Sequence, residues 1–228
     1  MKLTTRLAYK LLSPRTWSQI VQDWQFARRR LINPHLKAAA SLKGQRALKL
    51  HLGSGIRSRP GWVNIDGCEQ PGLDLRWDLR DPLPVDAGAA DLVYSEHVLE
   101  HLEFEDAQRL IRDVFRVLSP GGRVRLGVPD AELYLRAYSR NDEQFFHGVR
   151  NLGNPVDPLD TPMKVINQMF RMGGAHQFAW DFGTLARELT AAGFRNIRRC
   201  ASGESVTPDL CLDDPTHAVE TLYVEAQR

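Results

Sequence analysis

Short apolar runs that end in glycine or aspartate, between residues 48 and 102, constrain the fold of this chain more than any other feature. The run at 48–52 ends in a Gly-Ser-Gly turn at 53–55. Glycine in such a turn lets the backbone bend sharply and lets a ligand approach main-chain N–H groups. The next run ends at Asp66, whose carboxylate can accept both hydroxyl groups of a ribose. The pattern therefore predicts an open α/β sheet with a nucleotide pocket at the carboxyl ends of its strands.

The spacing of this turn argues against a dinucleotide cofactor. A dinucleotide fingerprint has the form G-x-G-x-x-G, with an acidic residue about 20 positions further on. Here Ser58 occupies the third glycine position, and Asp66 lies only 11 residues after Gly55. The sequence therefore does not favour NAD as the ligand.

The same stretch resembles the cofactor half of the class I S-adenosylmethionine (SAM)-dependent methyltransferases, and more narrowly their small type-11-like members. Six segments carry the resemblance, and they occur in the family's order. They are LHLGSG at 50–55, GWVNID at 61–66, WDLRDPLP at 77–84, ADLVYSEHVLEHL at 90–102, VFRVLSPGGRVRLGVPD at 114–130 and AHQFAWDFGTLARELTAAGF at 175–194. Each segment alone is a weak signal, whereas six in order make the resemblance specific.

The resemblance implies a role toward SAM for each matching residue. The glycine turn would make room for the methionine tail and donate main-chain N–H groups to it. Asp66 would accept the ribose hydroxyls, Asp78 would accept the adenine amino group, and the amide of Leu79 would meet a ring nitrogen. The residues expected to bind the cofactor are Gly53, Ser54, Gly55, Asp66, Asp78, Leu79, Ser95 and His97.

Some of these assignments have alternatives. Asp66 could instead be a helix-capping or turn carboxylate, and Asp74 and Asp81 compete with Asp78 for the adenine role. The chain departs from the family pattern at His51, where many class I enzymes have an acidic residue near the ammonium of the tail. We expect backbone carbonyls near Ser95 to receive that ammonium instead.

Three residues are candidates for catalysis: His97, Asp130 and His176. Methyl transfer from a sulfonium requires mainly alignment of the acceptor and exclusion of water. A general base is needed only for an acceptor that must lose a proton, such as a hydroxyl group. For His176, functional and structural roles remain equally open.

The segment from His97 to His101 also spells H-x-x-E-H, which in a zinc hydrolase would place two metal-binding imidazoles on one helix face. Such an enzyme would need a further ligand and would not explain the glycine turn or Asp66. No metal site is therefore predicted, and His101 is expected to have a packing role.

We predict a doubly wound, seven-stranded Rossmann-like methyltransferase sheet with helices on both faces, preceded by a helical extension. The extension covers residues 1–46 and the catalytic domain residues 47–228, with an acceptor-site insert at 131–177. Strands are expected near 48–52, 62–65, 73–77, 91–94, 123–128, 194–200 and 219–226. Helices are expected near 95–101, 105–118, 130–139, 141–150, 161–171 and 182–192. The last strand has too little sequence before it for a helical crossover, so an antiparallel insertion is open.

Charge is divided unevenly along the chain. Residues 1–46 hold ten basic residues and one acidic residue, a charge of +9, and because the whole chain carries +2 the remainder carries −7. The extension contains leucines at helical spacing (Leu3, Leu7, Leu11) and a second helix-like piece at 15–31. Three roles are open for the extension. It would pack on the catalytic domain or on a second copy of the chain, it would lie on an anionic membrane surface, or it would act as a transit peptide.

The compartment is expected to be the cytoplasm, with peripheral membrane contact through residues 1–46 as an alternative. The three cysteines form neither a C-x-x-C pair nor a disulfide framework, which favours a reducing compartment. No apolar run reaches the length of a membrane span, and the first residues lack the apolar core of a signal peptide.

The sequence predicts a SAM-dependent methyltransferase with SAM as its cofactor. By resemblance, the acceptor would be a hydroxyl group of a saccharide, a cell-envelope glycan or a small polar metabolite. Two alternatives are a non-catalytic SAM-binding or scaffold protein and a nucleic-acid methyltransferase. The second is disfavoured because the catalytic part is acidic and lacks a sequence like N-P-P-Y for holding a flipped base.

Overall fold

The structure is a computed structural model, and it describes residues 36–150, 152 and 159–228. Its seven strands are β1 (Leu48–Leu52), β2 (Val63–Asp66), β3 (Leu75–Arg76), β4 (Ala90–Glu96), β5 (Leu118–Pro129), β6 (Arg195–Cys200) and β7 (Thr221–Gln227). Its α-helices within the described residues are α1 (Leu36–Ser41), α2 (Phe104–Val117), α3 (Ala131–Ser139), α4 (Glu143–Val149), α5 (Pro162–Arg171) and α6 (Phe182–Ala192).

The strands form one sheet in the order β3-β2-β1-β4-β5-β7-β6. β1 pairs in parallel with β2 and β4, and β5 continues the parallel part, whereas β7 runs antiparallel to both β5 and β6. The predicted seven-stranded α/β sheet is confirmed, and the last strand is the antiparallel insertion. Because the strand order reverses between β1 and β4, the carboxyl ends of these two strands frame the crevice where open α/β sheets bind ligands.

Helices α2 and α6 cover the sheet with apolar faces repeated at helical spacing. In α2 the buried residues are Ala107, Leu110, Ile111, Val114 and Val117, which is the stripe that a helix packed on a sheet presents. Helix α6 is capped by Asp181, whose carboxylate accepts the Thr184 N–H at 2.7 Å, and it ends at Gly193 in the left-handed conformation.

The described part of the insert has an apolar core of its own. Residues from α3, α4 and α5 bury one another in a cluster formed by Ala131, Tyr134, Ala137, Phe146, Val149, Val165, Ile166 and Met169. The insert begins directly after β5 and returns through Trp180, which forms a single bridge with Asp130. It therefore starts at the carboxyl edge of the sheet.

The predicted helix at 95–101 is wrong. Strand β4 continues to Glu96, and His97 has a left-handed φ of 54° while its N–H donates to the carbonyl of Gly127. Only a single 3₁₀ turn, Leu99–His101, follows. The hydrogen bond to β5 extends the sheet edge through His97, and a positive φ there prevents a helix from starting.

The compact unit that carries the sheet spans Ala39–Arg228, and Ala39 and Leu42 are buried. The predicted boundary at residue 46 stays a prediction. The predicted helices at 3–11 and 15–31 lie outside the described residues. Among the described helices, none has the length and apolar character needed to cross a membrane.

Candidate functional site

The turn after β1 is shaped by glycine at both ends. Gly53 and Gly55 have φ values of 69° and 51°, and a Cβ on Gly53 would lie 2.1 Å from Cγ2 of Val98. The N–H groups of Gly53 and Ser54 donate to the carbonyl of Ile65 at 2.8 and 3.2 Å. Binding of a methionine tail by these N–H groups stays a prediction, because in this structure they tie the turn to β2.

Asp66 lies at the end of β2 and holds two loops. One carboxylate oxygen accepts the N–H of Gly55 at 2.8 Å, and the other accepts the N–H of Cys68 at 2.7 Å. A carboxylate offers about four acceptor positions, so Asp66 retains capacity for the two hydroxyls of a ribose.

Asp78 forms a two-pronged ion pair with Arg80. Nε and Nη2 of Arg80 lie 3.0 and 2.9 Å from the two carboxylate oxygens, and the Arg80 N–H donates to Oδ1 at 3.0 Å. Leu79 between them is buried. An adenine amino group at Asp78 would therefore share the carboxylate with a guanidinium, which sequence reasoning did not foresee.

Two buried serine hydroxyls at the carboxyl ends of adjacent strands have no hydrogen-bond partner among the described residues. They belong to Ser54, just after β1, and to Ser95 in β4, which is in register with Leu52. Since a buried hydroxyl without a partner is unfavourable, Ser54, which lies in the glycine turn, is suited to a polar ligand, whereas Ser95 lines an apolar cavity with Leu52, Leu110 and Val114. Ser54, the glycine turn and Asp66 make this crevice a fitting place for SAM.

His51 cannot replace an acidic residue toward the ammonium of such a ligand. It is buried in β1, and its ring meets the edge of Tyr94 at a centroid distance of 5.3 Å. Burial lowers the pKa of His51 to about 4, so at neutral pH its ring carries no charge.

His97 is fixed at both ring nitrogens. The Nδ1–H group donates a hydrogen bond to Oε1 of Glu100 at 3.1 Å, and Nε2 lies 2.9 Å from the Thr221 hydroxyl. Burial lowers the pKa of His97, but the hydrogen bond and charge of Glu100 outweigh burial, so the net pKa is raised. A carboxylate that orients an imidazole toward a hydroxyl is the arrangement of a general base.

A second histidine and a second carboxylate lie beside His97. The rings of His97 and His217 are 4.7 Å apart, and Nδ1 of His217 lies 3.0 Å from Oε1 of Glu220. Burial raises the pKa of Glu220, but the hydrogen bonds from His217 and Tyr134 outweigh burial, so the net pKa is lowered. Tyr134 donates its hydroxyl proton to the other oxygen of Glu220.

His176 lies next to the other side of Glu100. Its ring contacts that of His101 edge-on, with centroids 4.8 Å apart, and burial lowers the pKa of His176. The N–H groups of Gln177 and Phe178 donate to the carbonyl of Glu100, which fixes the end of the insert against the 3₁₀ turn. The structure thus joins His97 and His176, two of the predicted catalytic residues, through Glu100.

Asp130, the third predicted catalytic residue, is used elsewhere. It caps α3 by accepting the Glu132 N–H at 3.1 Å, and Arg199 lies 3.2 Å from its other oxygen. Burial raises the pKa of Asp130 against the opposing charge of Arg199. The capping and ion pairing are structural roles, and a role in catalysis stays a prediction.

Aromatic residues in and next to the insert are mostly part of its core. Tyr134, Phe146 and Trp180 are buried, whereas Tyr138 is exposed. Sequence reasoning missed His217, Glu220 and Thr221, because the stretch before β7 showed no periodic pattern. The available signal was the spacing of a histidine and a glutamate three residues apart, directly before a strand.

Comparison with known families gives one match in sequence. A family model described as "Methyltransferase domain" matches residues 68–126, a segment that contains β4, α2 and most of β5. No curated protein matches the chain.

Several solved structures resemble the chain at low identity. A SAM-dependent methyltransferase from Archaeoglobus fulgidus is 14% identical with a TM-score of 0.49, over 90% of this chain and 94% of that one. The 1,6-didemethyltoxoflavin-N1-methyltransferase of Burkholderia thailandensis, solved with S-adenosylhomocysteine, is 15% identical with a TM-score of 0.46, over 95% and 91%. A possible exported protein of Bordetella parapertussis is 15% identical with a TM-score of 0.48; the match covers 85% of this chain and 66% of that one. Likenesses this low support no conclusion about ligand or substrate.

Proposed function

We propose that this chain, a SAM-dependent methyltransferase with the class I fold, methylates a hydroxyl oxygen of a saccharide, a cell-envelope glycan or a small polar metabolite. The methyltransferase assignment rests on the family match at 68–126 together with the strand order β3-β2-β1-β4-β5-β7-β6. The nature of the acceptor is the proposal.

The observation that carries the proposal is the Glu100–His97–Thr221 chain of hydrogen bonds. Glu100 accepts a hydrogen bond from Nδ1 of His97, and Nε2 of the same ring is hydrogen-bonded to a hydroxyl group at 2.9 Å. A hydroxyl acceptor is a weak nucleophile until a base removes its proton, whereas a softer acceptor needs no base. An oriented imidazole already paired with a hydroxyl therefore supports oxygen as the acceptor atom.

In this proposal SAM, when bound, supplies a methyl group already activated by the sulfonium. The turn at 53–55 would leave room for it, and Asp66 and Asp78 would hold its ribose and adenine. The acceptor hydroxyl takes the place of Thr221 at Nε2 of His97, which receives its proton. Glu100 stabilises the resulting imidazolium at the opposite nitrogen, and the insert limits the access of water.

The proposal is tested with methyl-labelled SAM and a panel of acceptors. The panel contains neutral monosaccharides, nucleotide-linked sugars, envelope glycans, small hydroxylated metabolites, and both DNA and RNA. We expect label in an O-methyl group of a sugar or hydroxylated metabolite, located by mass spectrometry. Labelled nucleic acid, or label on nitrogen alone, would contradict the proposal.

Replacement of the base provides the matched test. We expect His97→Gln to lower turnover on the order of 10²- to 10⁴-fold, the usual contribution of a general base. His147→Gln removes an exposed imidazole on α4 and should leave turnover unchanged. SAM binding without turnover on any acceptor would instead favour a non-catalytic SAM-binding protein.

A further inference from the structure

We infer that Glu100, His101 and His176 form a binding site for a divalent transition-metal ion. Each residue offers one ligand atom, and the three atoms lie within 4.8 Å of one another. Around a four-coordinate zinc ion with bonds near 2.1 Å, neighbouring ligand atoms lie roughly 3.4 Å apart. Contraction by at most about 1.4 Å, from 4.8 Å to the zinc geometry, is within the reach of side-chain rotation. His101 is exposed, which also gives the ion a route from solvent.

Both imidazoles are fixed in the tautomer that a metal ligand needs. Nδ1 of His101 lies 3.2 Å from the carbonyl of Ala175, and Nδ1 of His176 contacts the carbonyl of Met169. A carbonyl only accepts, so each Nδ1 carries the proton and each Nε2 is left with a lone pair. Histidines that bind metals characteristically donate their second ring nitrogen to a carbonyl or carboxylate, which fixes the orientation of the ring.

Glu100 supplies a second, independent indication. The residue is only 1% exposed, and while Oε1 accepts from His97, Oε2 is buried and has no hydrogen-bond partner among the described residues. A buried carboxylate oxygen with no partner is strongly unfavourable. A cation held between this oxygen and the two imidazoles would compensate it.

The neighbouring cluster of His97, His217 and Glu220 has comparable spacing but different bonding. Nε2 of His97 is paired with Thr221, and Nδ1 of His217 with Glu220, whose other oxygen is bonded to Tyr134. These pairings satisfy the groups without an ion. The cluster of Glu100, His101 and His176 is therefore the one assigned to a metal.

The ligand types select the class of ion. Imidazole nitrogen suits zinc and other first-row transition metals, whereas Mg²⁺ and Ca²⁺ take mainly oxygen ligands. Two histidines and one glutamate, with a position left open, match the ligand set of catalytic zinc sites. We therefore expect Zn²⁺ to bind and Mg²⁺ and Ca²⁺ not to compete at similar concentrations.

The test uses the full chain without a histidine tag, freed of metal by dialysis against a chelator. Equilibrium dialysis against ZnCl₂, with bound zinc measured by mass spectrometry, should give one ion per chain. Co²⁺ should bind with visible d–d absorption that reports its coordination. Neither readout depends on methyl transfer, so failure here and failure of the proposed function are distinguishable.

Variants connect the ion with these residues. We expect His101→Ala and Glu100→Gln each to weaken zinc binding at least about tenfold and to change the Co²⁺ spectrum. Circular dichroism of the metal-free variants checks the fold, and His101→Ala changes an exposed side chain. His147→Ala, the control, should bind zinc as the parent does. Absence of one-to-one binding, binding that His101→Ala leaves unchanged, or loss of binding in His217→Ala alone would overturn the inference.

Discussion

At the scale of single residues, Gly53 has little freedom to change. Its φ of 69° disfavours any L side chain, and a Cβ there would clash with Val98. We expect Gly53→Ala to reduce the free energy of unfolding by roughly 2 to 5 kcal/mol, from left-handed strain plus overpacking, as measured by urea titration.

Gly203 offers the control for that change. Its φ is 74°, but an added Cβ would have no atom of the described residues within 4 Å. Gly203→Ala should therefore show the strain alone, about 1 to 2 kcal/mol. With Val98→Ala as the background, Gly53→Ala should cost no more than Gly203→Ala, because the clash is gone. Equal losses for Gly53→Ala and Gly203→Ala in the parent would contradict a clash with Val98.

The ribose role of Asp66 is a second prediction at this scale. We expect Asp66→Asn to weaken SAM binding roughly 10- to 100-fold, because each hydrogen bond to a charged acceptor contributes about 1.5 to 3 kcal/mol. Isothermal titration measures the change, and Asp160→Asn, at an exposed carboxylate, is the control. Unchanged affinity would remove Asp66 from the cofactor site.

His51 makes stability depend on pH. Its folded pKa of about 4 lies below the unfolded value of about 6.5, so between these values only the unfolded chain takes up the proton. Stability therefore falls as pH falls through this window, by about 3 kcal/mol from this residue. The parent should lose more unfolding free energy than His51→Gln between about pH 7 and about pH 4.5. Parallel losses in the two proteins would show that the pKa of His51 does not differ between the folded and unfolded chains.

The residue roles could be predicted only partly from the sequence. The turn at 53–55 and Asp66 follow strand ends, so their position at one edge of the sheet was readable from local pattern. The pairing of Asp78 with Arg80 was not predicted, although Arg80 is only two positions away. The partner of Asp130 was not readable, because Arg199 arrives from a strand 69 positions away. His217 and Thr221 meet His97 only because β7 inserts beside β5.

At the scale of elements, Arg125 joins three parts of the fold. It is fully buried in β5, and it contacts Asp213 at 2.5 Å, Glu225 of β7 at 2.9 Å and the carbonyls of Ala201 and Glu204. Burial lowers the pKa of Arg125, but the two carboxylates outweigh burial, so the net pKa is raised.

Removal of this guanidinium should destabilise the β5–β7 pairing. We expect Arg125→Ala to reduce the free energy of unfolding by about 3 to 5 kcal/mol, since it removes the buried guanidinium from Asp213 and leaves Glu225 with Arg198 alone. Arg123→Ala, two residues earlier in the same strand and only half-buried, should have a much smaller effect in the same urea titration. Similar losses would mean that the network contributes little.

Two predicted helices, one confirmed and one wrong, show what a sequence pattern can resolve. Helix α6 was predicted with its observed bounds, because Asp181 caps it, Gly193 stops it and its apolar residues follow a helical period. The segment 95–101 has similar apolar spacing, yet its backbone is bound to Gly127 of β5. A long-range hydrogen bond overrode local preference, and no window of sequence contains that information.

At the scale of the whole molecule, the uneven distribution of charge suggests that the basic N-terminal segment binds an anionic partner. We propose that the extension at 1–46 contacts an anionic membrane surface peripherally, chiefly through residues 1–35, which hold seven basic residues and one acidic residue. Such segments gain about 1 kcal/mol per basic residue near the surface. We expect the full chain, and not a chain lacking 1–35, to cosediment with vesicles containing phosphatidylserine. Residues 36–46 are retained because Ala39 and Leu42 are buried.

A charge variant separates electrostatic contact from other effects of the deletion. Replacement of Arg28, Arg29 and Arg30 by glutamine should weaken cosedimentation, and added salt should do the same. Neutral phosphatidylcholine vesicles should not bind the parent. Equal sedimentation of parent and truncated chain would remove the membrane proposal and favour packing or self-association.

The separate apolar core of α3, α4 and α5 has a consequence for how such enzymes diversify. Because these helices bury their side chains against one another, changes in their outer surface need not disturb the strands that carry the glycine turn and Asp66. Under the proposed function, in which the insert shapes the acceptor site, mutation of that outer surface would alter what is methylated and leave the strand ends that bind the methyl donor unchanged.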